Sequence, residues 1–131
     1  MFSKHQGRES RIKQTKHFIQ ENTSASLLNN KKWYSILEKI QEEGQSIKIK
    51  TLLSDFSFSC DFIREIELTS ALFDDTGNFI EYFEIEYISL KRTEEMISFL
   101  NKLNINYSDD PDHITILGYL KKQVITTPKN H

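Results

Sequence analysis

The chain has 131 residues, of which 37% are hydrophobic, and a formal net charge of −2, so it is expected to form one domain around one core. A single cysteine, Cys60, excludes an internal disulfide and a cysteine-based zinc motif. No stretch approaches the roughly 20 apolar residues of a membrane span. The N-terminus lacks the apolar core of a signal peptide. These features together predict a cytoplasmic location.

The charges are unevenly distributed along the chain. Residues 1–50 carry a net charge of +5, residues 51–113 carry −10, and residues 114–131 carry +3. This polarity predicts either an acidic surface for a charged partner or neutralisation of the two signs within the fold, in which Lys48, Lys50 and the basic N-terminal helix cover the carboxylates. We divide the chain into a basic N-terminal arm or helix (1–24), an α+β domain (25–120) and a basic tail (121–131).

Two helices are predicted in the first third of the chain. Residues 9–20 have the composition of a basic helix. Such a helix could bind nucleic acid or an acidic partner, or it could simply be solvated. Residues 31–43 form the second helix, with Asn29 and Asn30 as candidate N-caps and Gly44 as its stop. Its apolar stripe follows i, i+3, i+4, i+7 spacing and consists of Trp33, Ile36, Leu37 and Ile40.

Alternating residues then predict strands. Residues 47–52 form the first strand, with Ile47 and Ile49 pointing inward. Residues 56–62 form either a short strand or an irregular packed segment, and the residues expected on one face are Phe56, Phe58, Cys60 and Phe62. No histidine lies in a context that would activate Cys60 as a nucleophile, so a buried structural thiol is expected.

The centre of the chain predicts an acidic β-hairpin. Residues 63–73 and 79–90 each have strand character, and the turn-forming residues 74–78 connect them. Matching the apolar faces of the two strands places their glutamates on one shared face. The candidate partner-binding residues are Glu65, Glu67, Asp74, Asp75, Glu81, Glu84 and Glu86.

The last third predicts a helix and two strands. Thr93 is a suitable N-cap for a helix ending near residue 104. A short strand follows at 105–107, then a turn at 109–113, and a final strand at 114–120 with an interior place in the sheet. Gly118 within that strand indicates a bulge or a close backbone contact.

These elements predict a single α+β domain. We expect an antiparallel sheet of four to six strands, with two main helices packed on one face and a basic N-terminal helix. Carboxylates are the only candidate chemistry, but they lack the spacing of known metal and nuclease motifs. We therefore expect no enzyme activity, no cofactor and no metal.

Several short motifs resemble a family of small bacterial proteins of unknown function. They are Asn29-Asn-Lys-Lys-Trp33 at a helix start, Phe83-Glu-Ile-Glu-Tyr-Ile88, Ile105-Asn-Tyr107 and Ile116-Leu-Gly-Tyr119. The resemblance covers about residues 27–120, with Tyr87 where Trp is commoner and Asn106 where Pro is commoner. It implies a small α+β domain without known catalytic residues. By analogy it also suggests an immunity partner of a secreted bacterial toxin.

The function expected from these observations is that of a cytoplasmic immunity protein, or antitoxin. It would bind and neutralise a toxin, such as a basic nuclease-type toxin, through its acidic surface. We expect a protein partner, no direct binding to nucleic acid and no membrane association. The alternatives are a non-catalytic regulatory or structural binding module and, third, a metal-dependent enzyme.

Overall fold

The computed structural model describes the backbone of residues 4–67 and 70–122, and the side chains of residues 9–67 and 70–122. The helices are α1 (Lys4–Asn22), α2 (Asn30–Glu43) and α3 (Glu94–Lys102). The strands are β1 (Thr23–Ser26), β2 (Ile47–Thr51), β3 (Phe58–Cys60), β4 (Ile63–Glu67), β5 (Ala71–Asp74), β6 (Phe79–Glu81), β7 (Ile85–Lys91), β8 (Tyr107–Asp109), β9 (His113–Leu117) and β10 (Tyr119–Lys121). Beyond Lys122, the predicted basic tail lies outside the described residues.

A five-stranded antiparallel sheet with the order β3-β2-β7-β9-β8 forms the centre of the fold. Its inner face and the apolar stripes of α2 and α3 contribute to one core. The α+β class and the expected size of the sheet are therefore confirmed. The core residues that this sheet contributes include Ile47, Ile49, Cys60, Ile88, Leu90, Ile114 and Ile116.

The helix ends follow from local chemistry. The side chain of Asn29 accepts a hydrogen bond of 2.8 Å from the backbone N–H of Lys32 and caps α2. Gly44 ends the helix with φ of 65°, a conformation that favours glycine. Thr93 caps α3 by accepting a bond of 3.1 Å from the N–H of Met96. The caps predicted at Asn29, Gly44 and Thr93 are confirmed, whereas Asn30, the other candidate, is the first residue of α2.

The acidic hairpin differs from its prediction, because each of its two long strands is broken. Strands β4 and β5 pair with each other, so residues 63–73 fold back on themselves, and residues 68–69 lie outside the described range. The turn at 74–78 does join β5 to β6 as a hairpin. Residues 82–84 then form a 3₁₀ turn between β6 and β7. Strands β4, β5 and β6 make a separate three-stranded sheet.

Tyr82 accounts for the second break. Its side chain is fully buried, its hydroxyl donates a hydrogen bond of 2.5 Å to the carbonyl of Glu67, and its N–H donates to the carbonyl of Ser70 at 2.7 Å. A buried tyrosine hydroxyl needs such a partner. These bonds hold residue 82 near the end of β4. The alternation of residues along the sequence does not predict them.

Gly118 marks the place where the chain leaves the central sheet. β9 ends at Leu117, and after Gly118 the chain continues as β10, which pairs with β1. The N–H of Gly118 donates to the carbonyl of Glu86 at 2.8 Å, and a Cβ at this position would collide with the carbonyl of Ile85. The predicted close backbone contact is confirmed, whereas the predicted single strand is divided into two.

Trp33, the first residue of the α2 stripe, is 2% exposed and packs in the core. Trp33→Ala should lower the free energy of unfolding by about 3–5 kcal/mol, because it removes a large buried ring and leaves a cavity. Urea unfolding followed by circular dichroism measures this, since Trp33 is the only tryptophan and its fluorescence is lost. The exposed neighbour Lys31→Ala is the control and should change little. Equal stability of the two variants would contradict the packing.

Candidate functional site

Glu81 and Glu84 are buried beneath the N-terminal helix. They are 5% and 7% exposed, respectively. Arg11 of α1 places its Nε 3.1 Å from Oε1 of Glu84 and its Nη2 3.9 Å from Oε2 of Glu81. The other oxygen of Glu84 accepts the backbone N–H of Glu81 at 2.9 Å. Both carboxylates therefore face a cation of the protein itself.

Glu86 is also buried, at 8% exposed, and meets two lysines. The Nζ of Lys50 lies 3.0 Å from Oε1 and the Nζ of Lys121 lies 3.7 Å from Oε2. The register between β2 and β7 shifts here, with Lys50 opposite Tyr87 and Thr51 opposite Ile85. Glu86 is thus the extra residue of a β-bulge, which changes the direction of its side chain.

Asp74 has a structural role in the β5–β6 turn. It is 1% exposed, and one carboxylate oxygen accepts the N–H groups of Thr76 and Asn78 at 3.0 and 2.7 Å. The side chains of Thr76 and Asn78 donate to the same carboxylate. Burial alone would raise the pKa of Asp74, but these hydrogen bonds outweigh it and lower the pKa. The carboxylate is charged and saturated by its own turn.

The prediction of one shared acidic face is therefore wrong. Asp74, Glu81, Glu84 and Glu86 are buried in three separate environments, because the strand breaks and the bulge interrupt the alternation on which the prediction depended. Glu65 lies opposite Phe73 and Glu67 opposite Ala71, so no glutamate opposes another across β4 and β5. The second interpretation of the charge distribution was neutralisation within the fold. It applies to Glu81, Glu84 and Glu86, which pair with cations of the same chain. The partner-binding role of all seven carboxylates stays a prediction.

The remaining carboxylates lie on a different surface. Glu65 and Glu67 are exposed on one face of β4, and Asp75 is half-buried in the β5–β6 turn. Asp61 and Phe62 form the loop between β3 and β4. We call these five residues the acid-aromatic patch. Phe62 is 54% exposed, and Phe56, in the loop before β3, is 79% exposed, so neither ring is buried with Cys60.

Cys60 lies directly beneath this patch. Its thiol is fully buried and donates a hydrogen bond of 3.2 Å to the carbonyl of Phe62. Burial, together with the nearby charges of Asp75, Asp74 and Asp61, raises the pKa of Cys60 to about 11. Asp61 follows Cys60 directly in the chain, and the pairing of Ile63 with Asp74 brings the 74–75 turn to the same end of β4. A buried, protonated thiol fits a structural role and not a nucleophile.

In the part of the chain that the structure describes, no group of three or more His, Cys, Asp or Glu side chains is arranged to hold a metal ion. Among the described helices, none is both long and apolar enough to cross a bilayer.

A match to a protein-family model shows which family the chain belongs to. Residues 15–123, more than half of the chain, match the family described as a family of unknown function, DUF6678. The chain belongs to this family. No curated protein and no solved structure matches the chain significantly. The family description assigns no activity to DUF6678, so the likeness to immunity proteins stays a prediction.

The sequence analysis named Lys50 and the basic N-terminal helix as groups that could neutralise the carboxylates, but it singled out neither Arg11 nor Lys121. Arg11, Lys50 and Lys121 lie at least 35 residues from their partners in sequence, and no local pattern connects them. The only signal was the alternation of basic, acidic and basic segments along the chain. Phe62 was also missed as an exposed residue, because its aromatic ring suggested the core.

Arg11→Ala should lower the free energy of unfolding by about 1–3 kcal/mol, because it leaves the two buried carboxylates of Glu81 and Glu84 without this cation. The control is Lys13→Ala on an exposed position of the same helix. Urea unfolding of both variants measures the difference. If both variants unfold at the same urea concentration as the parent protein, the ion pairs do not hold α1 on the domain.

Stability should fall as the pH rises above about 9. Burial raises the pKa of Cys60 to about 11, and it raises the pKa of Tyr82 and Tyr119 to about 12. The unfolded chain loses these protons first, near pH 9 to 10, so alkaline pH favours unfolding. Urea unfolding at pH 8 and pH 10.5 measures the loss. Cys60→Ala should show a smaller loss between the two pH values, and an unchanged loss would contradict the assignment to Cys60.

Proposed function

We propose that this member of the DUF6678 family is a cytoplasmic immunity protein, which binds a bacterial toxin and neutralises it without catalysis. The observation that carries the proposal is the acid-aromatic patch. Phe62 is 54% exposed in the segment 61–67, which also exposes Asp61, Glu65 and Glu67 with the single cation Arg64, and Ile63 pairs with Asp74 next to Asp75. The patch replaces the hairpin face as the candidate surface, because four of the seven predicted carboxylates are buried.

The patch has the composition of a protein interface. Aromatic side chains often provide most of the binding energy when they are buried by a partner, and Phe62 is 54% exposed on a short loop. Carboxylates around such an anchor accelerate the approach of a basic partner and exclude acidic ones. A toxin that acts on nucleic acid needs a basic surface for phosphate groups, and an acidic inhibitor is complementary to that surface.

The rigidity of the surrounding structure supports the same proposal. Phe62 lies one residue before β4, and the carbonyl of Ile63 accepts a hydrogen bond of 3.1 Å from Gln41 of α2. The thiol of Cys60 holds the carbonyl of Phe62 from below. A loop fixed at both ends loses little conformational entropy when it binds.

Two alternatives have less support. A regulatory or structural binding module would use the same surface with a different partner, and no specific observation favours it. A metal-dependent enzyme would use clustered carboxylates, but Glu81, Glu84 and Glu86 are paired with Arg11, Lys50 and Lys121.

The experiment uses the protein encoded by the adjacent upstream gene as the candidate toxin. Its C-terminal domain is expressed in a bacterial host with this chain or with a variant, and growth and binding are measured. Phe62→Ala and Glu65→Lys should each weaken binding at least about tenfold and abolish protection, while their melting temperatures stay close to that of the parent protein.

The matched control is Asp112→Lys. It makes the same change of charge at an exposed position between β8 and β9, at the other edge of the central sheet from β3. This variant should protect fully. The proposal fails if the parent protein neither binds the upstream gene product nor protects against it. If Phe62→Ala and Glu65→Lys protect as well as Asp112→Lys, the patch is not the binding surface.

A further inference from the structure

The outer face of the five-stranded sheet carries a groove of about 460 Å³. Strands and turns contribute all of its lining, and no helix residue takes part. The polar side chains that line it belong to Ser46, Lys48, Ser59, Ser89, Lys91, Asp110, His113 and Thr115. A volume of this size lies within the range of small-ligand sites.

The register of the strands places the hydroxyl groups in one row. Lys48 of β2 lies opposite both Ser59 of β3 and Ser89 of β7, and Ser89 lies opposite Thr115 of β9. Directly opposed residues in an antiparallel sheet point to the same face. The row crosses four neighbouring strands, a span of about 14 Å at the usual strand spacing. Its members form the floor of the groove.

The next row along the strands adds further donors. Lys91 of β7 lies opposite His113 of β9, and both line the groove. Asp110 is the single acidic residue of the lining. Its carboxylate accepts the N–H groups of Asp112 and His113 at 2.9 and 2.7 Å, and these bonds lower the pKa of Asp110. The same oxygen lies 3.8 Å from Nδ1 of His113, so its charge is directed to its own turn and to that ring.

The two lysines of the groove are not among the cations that pair with a carboxylate of the fold. Arg11, Lys39, Lys50, Arg92 and Lys121 each form an ion pair with a carboxylate. Within the described residues, Lys48 and Lys91 form none, although both are exposed on the same groove. Two lysine ammonium groups and four hydroxyl groups therefore line one groove, and neither ammonium group is paired with a carboxylate of the described residues.

We infer that this groove binds a phosphate monoester of about mononucleotide size. Such a group carries close to two negative charges at neutral pH, which matches Lys48 and Lys91, and its three acceptor oxygens suit several donors. Lysine binds phosphate as a point charge, and serine and threonine hydroxyls are common phosphate donors. The remaining volume of the groove accommodates the organic part of the ligand. This inference is independent of the proposed function.

The test is a titration of the full chain, labelled with ¹⁵N and observed by NMR. Adenosine monophosphate and inorganic phosphate are the probes, adenosine is the control without phosphate, and a short single-stranded DNA without terminal phosphate offers phosphodiesters. The amide signals of Ser59, Ser89 and Thr115 should shift and saturate with both probes and stay unchanged with adenosine.

Variants then assign the site. Lys48→Gln combined with Lys91→Gln should weaken the binding of adenosine monophosphate at least about tenfold, because two charged contacts are lost. Thr115→Val keeps the shape of the floor and removes one hydroxyl, so it should weaken binding less. Lys102→Gln makes the same change of charge at an exposed position on α3 and should bind like the parent protein.

Three outcomes would overturn the inference. The first is the absence of saturable shifts with either probe. The second is equal affinity in the double variant and in Lys102→Gln. The third is binding of the oligonucleotide alone, which would assign the groove to nucleic acid. All these substitutions lie at sheet-surface or helix-surface positions, and thermal unfolding of each variant verifies that it is folded.

Discussion

Three buried carboxylates, those of Glu81, Glu84 and Glu86, lie within six residues of one another in the sequence. The rest of the structure depends on the cations that compensate their negative charges. A buried charge without a partner is costly enough to unfold a small domain. Here Arg11 comes from the N-terminal helix, Lys50 from the second strand and Lys121 from the last described strand. Three distant parts of the chain are thereby joined at one segment. The order of the charged segments along the sequence, basic then acidic then basic, corresponds to these ion pairs.

The sequence predicted those elements whose determinants are local. The α2 helix begins at the side chain of Asn29 and ends at Gly44, and Thr93 begins α3, because each cap needs only residues within a few positions. The apolar stripe of α2 and the alternation in β2 likewise identified buried residues correctly. The antiparallel five-stranded sheet followed from these elements and from the length of the chain.

The candidate site was predicted less well, because its determinants are not local. Alternation placed Glu84 and Glu86 on one face, but Tyr82 interrupts the strand and Glu86 is the extra residue of a bulge. A hydrogen bond from Tyr82 to residue 67 and an ion pair from residue 50 to residue 86 depend on tertiary contacts. Glu65 and Glu67 were correctly expected on one side of a strand, since that inference needed only a period of two within β4.

The contact at Gly118 limits how sequences of this fold can diverge. A side chain at position 118 would meet the ring of Trp33 and, more closely, the backbone carbonyl of Ile85. A smaller residue at position 33 would relieve the first collision, but no substitution elsewhere removes a carbonyl group. Trp33 can therefore be exchanged together with its neighbours, whereas Gly118 is restricted to glycine for as long as β7 and β9 keep their pairing. Among relatives with this fold, position 118 should therefore stay glycine, because its nearest neighbour is a backbone atom that no side-chain substitution removes.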